Sequence, residues 1–195
     1  MNLSSDLLDK FCDNIFNLIK YYLSKKITPD LLIDDIEELS SDCLDDLISM
    51  GIKGLILDLD ETLRFNQEEI PTYNKEWLFM AKRKLKIIIL SNGYCASTEK
   101  YPRSMNIAYL GLAYKPRKRS FQRALKSLLL SPSEVLMVGD DYFSDIYGGK
   151  RSNLGTVLVR KKIKQLKIFY LESLSLDFFL LILVKFLKIF YPIYL

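Results

Sequence analysis

Histidine is absent from this sequence. That excludes histidine-based catalytic triads, His/Cys zinc sites and any imidazole general base. Cysteine is scarce: Cys12, Cys43 and Cys95 stand far apart with no CxxC pair, a usage that suits free thiols in a reducing compartment and offers no disulfide framework. Long apolar runs are missing too. The longest uninterrupted run of the apolar tail, Phe178 to Val184, has seven residues, whereas a membrane-spanning helix needs about twenty. Nor is there positive charge where a secretory leader would carry it, since Asp6 and Asp9 stand there.

What is present is unevenly charged. Residues 1–50 carry eleven acids against four lysines, net −7, so the rest of the 195-residue chain carries +11. The acidic end excludes anionic partners there, while the basic body admits them. The length suits one domain of ordinary size with short extensions.

Leu7, Leu8, Phe11, Ile15, Leu18, Ile19 and Tyr22 recur at helical spacing, and the first fifty residues read as a helical extension interrupted near "ITPD" by proline. A second helical stretch, "SSDCLDDLISM", leads to Gly51. From there apolar runs at 54–59, 87–90, 135–138 and 156–159, with a weaker one at 107–114, alternate with helical patterns such as Phe121, Ala124, Leu125, Leu128 and Leu129. Strands alternating with helices predict a parallel, layered α/β sheet.

Polar residues gather behind these runs. Asp58 and Asp60 follow the first, Ser91-Asn92-Gly93 the second, Lys115-Pro116 the weaker one, and Gly139-Asp140-Asp141, with Asp145 beyond, the third. Ligands bind outside the carboxyl ends of parallel strands, so the four segments are expected to meet in one crevice. Period-two alternation would put the Asp58 and Asp60 carboxylates on one side, where a cation or bound ligand is needed between them. Carboxylates from two strand ends suit Mg²⁺, and a lysine with a serine hydroxyl suits a tetrahedral phosphate. An aspartate can serve as the nucleophile.

"DLDET", "LSNG", "KP" and "GDDYFSD", in that order, resemble the four motifs of haloacid dehalogenase (HAD) superfamily phosphatases over roughly residues 51–160. The resemblance implies a three-layer, Rossmann-like fold with a mostly parallel sheet. It makes Asp58 the nucleophile and Asp60 the acid and base. It assigns Ser91 and Asn92 to the substrate phosphate, Lys115 to charge neutralisation and Thr62 to the turn beside them. Mg²⁺ would be held by Asp58, the main-chain carbonyl of Asp60 and Asp140, with Asp141 and Asp145 in support. The intervals Thr62–Ser91 and Ser91–Lys115 leave no room for a cap domain, so the crevice is expected to be open to a phosphate on something large.

Residues 28–160 are similar to the YqeG-type HAD phosphatases of subfamily IIIA, through "ITPDLLIDDIEELSSDCLDDLISMGIKGLILDLDETL" and "YKPRKRSFQRAL". Relatives of that group include phosphatidylglycerophosphate phosphatases, which implies a phospholipid substrate. Asp141 stands where glutamine is often seen in the group. The expected division is a helical extension at 1–50, a phosphatase core at 51–163 and an apolar tail at 164–195.

That tail, with lysines 185 and 188 flanked by aromatics, reads as an interfacial helix on anionic lipid or as a helix packed on the core. Arg117, Lys118, Arg119, Arg123 and Lys126 follow Lys115 and would attract an anionic surface. No nucleic-acid-binding motif accompanies them. The sequence therefore predicts a phosphomonoesterase in a cytoplasmic or matrix-like reducing compartment, peripheral to the inner membrane face. A soluble phosphatase for a protein or nucleotide, or a non-catalytic scaffold, is the alternative.

Overall fold

The computed structural model describes residues 26–65, 68–93 and 102–160. The chain divides into two units, 1–162 and 163–195, and all described residues lie in the first. The helix expected over residues 7–22, the apolar tail, Cys12 and Cys95 lie outside the described residues.

Six strands form one sheet: β1 (Leu31–Ile33), β2 (Gly54–Leu57), β3 (Lys86–Leu90), β4 (Ala108–Leu110), β5 (Val135–Gly139) and β6 (Gly155–Val159). Their order is β1-β6-β5-β2-β3-β4, and every pairing is parallel. Each apolar run anticipated as a strand is one, because both faces of the sheet are covered and near-continuous burial is what a parallel sheet requires.

Alternation sorts the strand side chains onto two cores. Leu55, Leu57, Ile87, Ile89, Leu136, Val138, Val157 and Val159 face a layer containing α1 (Ser41–Ser49) and α2 (Thr72–Lys84), where Leu44, Trp77, Leu78 and Ala81 are buried. Ile56, Ile88, Leu90 and Met137 face α3 (Lys118–Leu128), which buries Phe121, Ala124, Leu125 and Leu128. Three layers result, in agreement with the expected α/β architecture. Neither interval thought too short for a cap carries an added domain among the described residues.

One segment departs from expectation. Residues 31–33, read from sequence as part of a helical lead-in, are strand β1 on the open edge of β6. The cause is local. Pro29 disfavours helix before it, and the Asp30 carboxylate accepts from Thr156 N at 2.8 Å and Thr156 Oγ1 at 3.1 Å, while Asp30 N donates to Thr156 O at 3.0 Å. Lys150 Nζ adds an ion pair to Asp30 at 2.5 Å. Helix α1 does form as expected, with Ser40 Oγ accepting from Cys43 N as its cap. Trp77 Nε1 donates to Leu39 O at 2.8 Å and ties this lead-in to α2.

Candidate active site

All six strands run in the same direction, so the residues that follow β2, β3, β4 and β5 emerge at one edge of the sheet. Asp58 leaves β2 with its amide donating to Val138 O at 2.9 Å, which holds it against β5. Ser91 leaves β3, its amide donating to Leu110 O and its carbonyl accepting from Ala113 N. That cross-link carries the 111–115 loop back over β3 and delivers Lys115. Lys115-Pro116 is a cis peptide.

The centre of the site is an ammonium between carboxylates. Lys115 Nζ donates to Asp58 Oδ1 at 2.5 Å and to Asp145 Oδ1 at 2.7 Å. Lys115 is 6 % exposed and Asp145 0 %. Carboxylate oxygens of Asp58, Asp140 and Asp145 all lie within 4.8 Å of one another. Burial pushes the Asp58 carboxyl up, to about 8, Lys115 opposes the rise, and Asp145 and Asp140 add to it. Burial pulls Lys115 down, but Asp145 and Asp58 outweigh it and hold the ammonium above its ordinary value. Three carboxyl groups face one ammonium, and their joint ionisation calls for further positive charge; hard oxygen donors in that arrangement fit a divalent cation.

The like charges acting on Asp58 therefore come from β5 and the turn beyond it, and Asp60 is not in this cluster. Strand β2 ends at Leu57, so the alternation expected to pair Asp58 with Asp60 stops before it reaches them. Asp60 instead accepts from Arg64 Nε at 2.7 Å, and Glu61 beside it adopts a left-handed φ of 61°. Its second oxygen accepts from Ser91 Oγ at 3.4 Å.

The remaining expected residues surround this centre. Thr62, buried, donates to Asp140 Oδ1 at 3.3 Å. Asn92 engages the backbone of Lys115: Lys115 N donates to its Oδ1 at 2.6 Å, and its Nδ2 donates to Lys115 O at 3.2 Å. Ser91 Oγ also accepts from Gly93 N at 3.1 Å. Asp141 caps a π-helical turn, Tyr142–Tyr147, by accepting from Phe143 N and Ser144 N at 2.9 Å each. The turn sets Asp145 facing Lys115, with Asp145 Oδ2 accepting from Asp141 N at 3.1 Å.

Two participants escaped the sequence reading. Arg64 orients Asp60, and its signal was an opposite charge four residues on. Gly139 gives Asp145 room, since a Cβ there would lie 2.3 Å from Asp145 Oδ2. A glycine ending a buried strand was its only mark in the sequence.

Comparison with known proteins agrees with this geometry. Residues 113–167 match the Hydrolase_like family, described as HAD-hydrolase-like, a span that takes in Lys115, Asp140 and Asp145. Over that span the likeness is to a HAD-type hydrolase. Over 139 residues the chain is 27% identical to the Probable phosphatase YqeG of Bacillus subtilis, which covers 70% of this chain and 79% of that protein. A shorter stretch of 43 residues is 46% identical to the glyceraldehyde 3-phosphate phosphatase of Pyrococcus furiosus, 22% of this chain and 18% of the relative. A HAD family enzyme of Bacteroides thetaiotaomicron, in a magnesium complex, superposes with a TM-score of 0.49 at 14% identity, over 62% of this chain and 99% of its own. Over most of its length the chain is similar to a YqeG-type phosphatase, and the HAD-hydrolase-like match lies across the part that carries Lys115, Asp140 and Asp145.

Proposed function

We propose that this phosphatase hydrolyses phosphomonoesters through a phosphorylated Asp58, with Mg²⁺ as cofactor, and that its substrate is phosphatidylglycerophosphate at a membrane surface. The observation that supports the mechanism is the buried Lys115 ammonium shared by Asp58 and Asp145 with Asp140 beside them. Asp58, Asp140 and the main-chain carbonyl of Asp60 would hold Mg²⁺, with Asp145 and Asp141 in support. When bound, Mg²⁺ supplies positive charge against the transferring phosphoryl oxygens.

The chain's own residues supply the rest. A carboxylate oxygen of Asp58 attacks phosphorus in line, and the bond from phosphorus to the ester oxygen breaks. Asp60 gives that oxygen its proton. Lys115 offsets the negative charge that reaches Asp58 and the phosphoryl oxygens, and Ser91 donates to one of them. In the second half Asp60 takes a proton from water, the water oxygen bonds to phosphorus, and the Asp58 carboxylate is released with Asp60 protonated again. Catalysis of this kind rests on positioning and electrostatics.

The lipid reading draws on the short Thr62–Ser91 and Ser91–Lys115 intervals, which leave no room for a cap, and on the YqeG-type resemblance. Among the described residues no helix is long and apolar enough to cross a membrane, and the attachment proposed is peripheral. Cys43 is a free thiol, as a reducing compartment on the inner membrane face would allow. The test is a phosphate-release screen of the purified chain with Mg²⁺, comparing phosphatidylglycerophosphate in mixed micelles with soluble phosphomonoesters. Preference for the lipid is expected. Faster turnover of a protein or nucleotide monoester would overturn the lipid assignment, and Mg²⁺-independent release would overturn the mechanism.

A further inference from the structure

The rim of the crevice carries a surface that the chemistry does not use. In the loop leading to the site, burial alternates residue by residue: Ala113 and Lys115 are buried, whereas Leu112 is 51 % and Tyr114 58 % exposed. The same four residues thus set an ammonium inside the site and two large apolar side chains outside it. Both exposed residues have left-handed backbones, φ 48° at Leu112 and 55° at Tyr114. That region is unfavourable for residues of this size, and glycine or asparagine would occupy it more readily. Neither burial nor backbone preference accounts for leucine and tyrosine here.

The charge beside them is equally unaccounted for by folding. Arg117 lies over the Tyr114 ring, 5.2 Å from guanidinium carbon to ring centroid. Exposed Lys118 and Arg119 follow in the first turn of α3, which contains no acidic residue. Cations at a helix amino terminus oppose the helix dipole. They cost helix stability unless an anion faces them.

A second loop repeats the pairing. After Asp141 the π-helical turn stacks Phe143 on Tyr147 with centroids 5.8 Å apart, and Arg151 lies over Tyr147 at 5.9 Å. The two loops are neighbours, because a Cβ at Gly148 would meet Phe121 at 2.6 Å and the Pro116 main chain at 3.2 Å. One loop holds Lys115 and the other holds Asp145, so both border the site, whereas Arg151 lies farther along, beside the Lys150 that pairs with Asp30 ahead of β1.

We propose that this rim is an interfacial docking surface for an anionic lipid bilayer. Leu112 and Tyr114 enter the headgroup boundary, while Arg117, Lys118 and Arg119 engage lipid phosphates. Aromatic rings and basic side chains together are the composition that settles at that depth. The phosphoryl group to be cleaved then reaches Asp58 without leaving the membrane surface. The inference rests on the lipid reading above and adds the face by which the bilayer is met.

The test reads contact rather than turnover. Trp77 is the sole tryptophan and is buried in the core, so a full-chain Tyr114→Trp variant adds a reporter at the rim, and Leu112→Trp adds a second. Each is mixed with phosphatidylglycerol vesicles whose acyl chains are brominated. Quenching of about half the added emission is expected, little in wild type, and little with zwitterionic vesicles. Emission unchanged in both variants overturns the inference, whether or not the protein sediments with the vesicles, and so does equal quenching by zwitterionic vesicles. Because the signal needs no catalysis, loss of rim contact with lipid hydrolysis intact would refute this surface alone. Quenching without hydrolysis of phosphatidylglycerophosphate would refute the substrate alone.

Discussion

Asn92 clamps the peptide unit of Lys115 from both ends, accepting from its amide at 2.6 Å and donating to its carbonyl at 3.2 Å. The loop after β3 thereby sets the position of a lysine delivered by the loop after β4. Asn92→Ala removes both bonds, each worth about 1 kcal/mol, and kcat should fall by about tenfold or more as Lys115 loosens. Asn92→Asp keeps the acceptor and should lose less. Steady-state kinetics on a soluble aryl phosphate decide the matter, and unchanged kcat in the alanine variant would show that Lys115 is held elsewhere.

Asp58 is the group whose ionisation the fold tolerates least. Burial, then Asp145 and Asp140, raise it to about 8 despite Lys115. A carboxyl whose folded value exceeds its unfolded one costs stability once pH passes the unfolded value, and the cost is fully present above the folded value. Asp58→Asn removes that charge, and Lys115 keeps Asp145 as partner. The metal-free variant should therefore melt no lower than wild type at neutral pH, show no turnover, and gain less Tm from Mg²⁺. A full Mg²⁺-induced shift in the variant would remove Asp58 from the metal site.

Gly139 is expected to be as sensitive as a residue that touches substrate. An alanine methyl would lie 2.3 Å from Asp145 Oδ2 and 2.8 Å from its Cβ, and Asp145 would have to leave Lys115 to make room. Displacement on that scale lowers turnover by about a hundredfold. Circular dichroism should stay near wild type while activity falls. An active Gly139→Ala enzyme would mean that Asp145 is dispensable where it stands.

Glu134 gives a prediction away from the site. Hydrogen bonds from Lys53 and then from Ser131 hold its carboxyl down, to about 2 from an ordinary 4.5. The depressed value favours the ionised form in the fold, so its contribution is complete above the unfolded value and fades as pH falls from about 4.5 toward 2. Urea midpoints of wild type and Glu134→Gln should differ at neutral pH and converge across that window. High salt at neutral pH should narrow the gap as well. A difference that persists at the acid end would contradict the ion pair with Lys53.

The parts of this architecture legible in the sequence are those carried by local patterning. Runs such as Leu55-Ile56-Leu57 and Ile87-Ile88-Ile89 announce buried parallel strands, and the polar residues behind them announce the crevice. Strand β1 was hidden because three residues between Pro29-Asp30 and Asp34-Asp35 carry no period of their own; its partner, β6, lies far along the chain. The four segments were expected to meet, but that Asp145 shares the Lys115 ammonium with Asp58 was hidden for a related reason. A π-helical turn, which no spacing rule encodes, decides where Asp145 points. Asp60 was read as facing Asp58 from strand alternation; strand β2 ends at Leu57, and it is Arg64 and Ser91 that hold the Asp60 carboxylate.

Strand β6 lies between β5 and β1, and 126 residues separate Asp30 from the Thr156 that receives it. During synthesis the segment around residue 31 leaves the ribosome long before its partner exists. Its edge stays unpaired until residue 159 has emerged. The four strand ends of the candidate site have emerged before that moment, which makes β6 the bolt that closes the sheet, and any nascent chain stopped short of it keeps the facing edges of β5 and β1 unpaired.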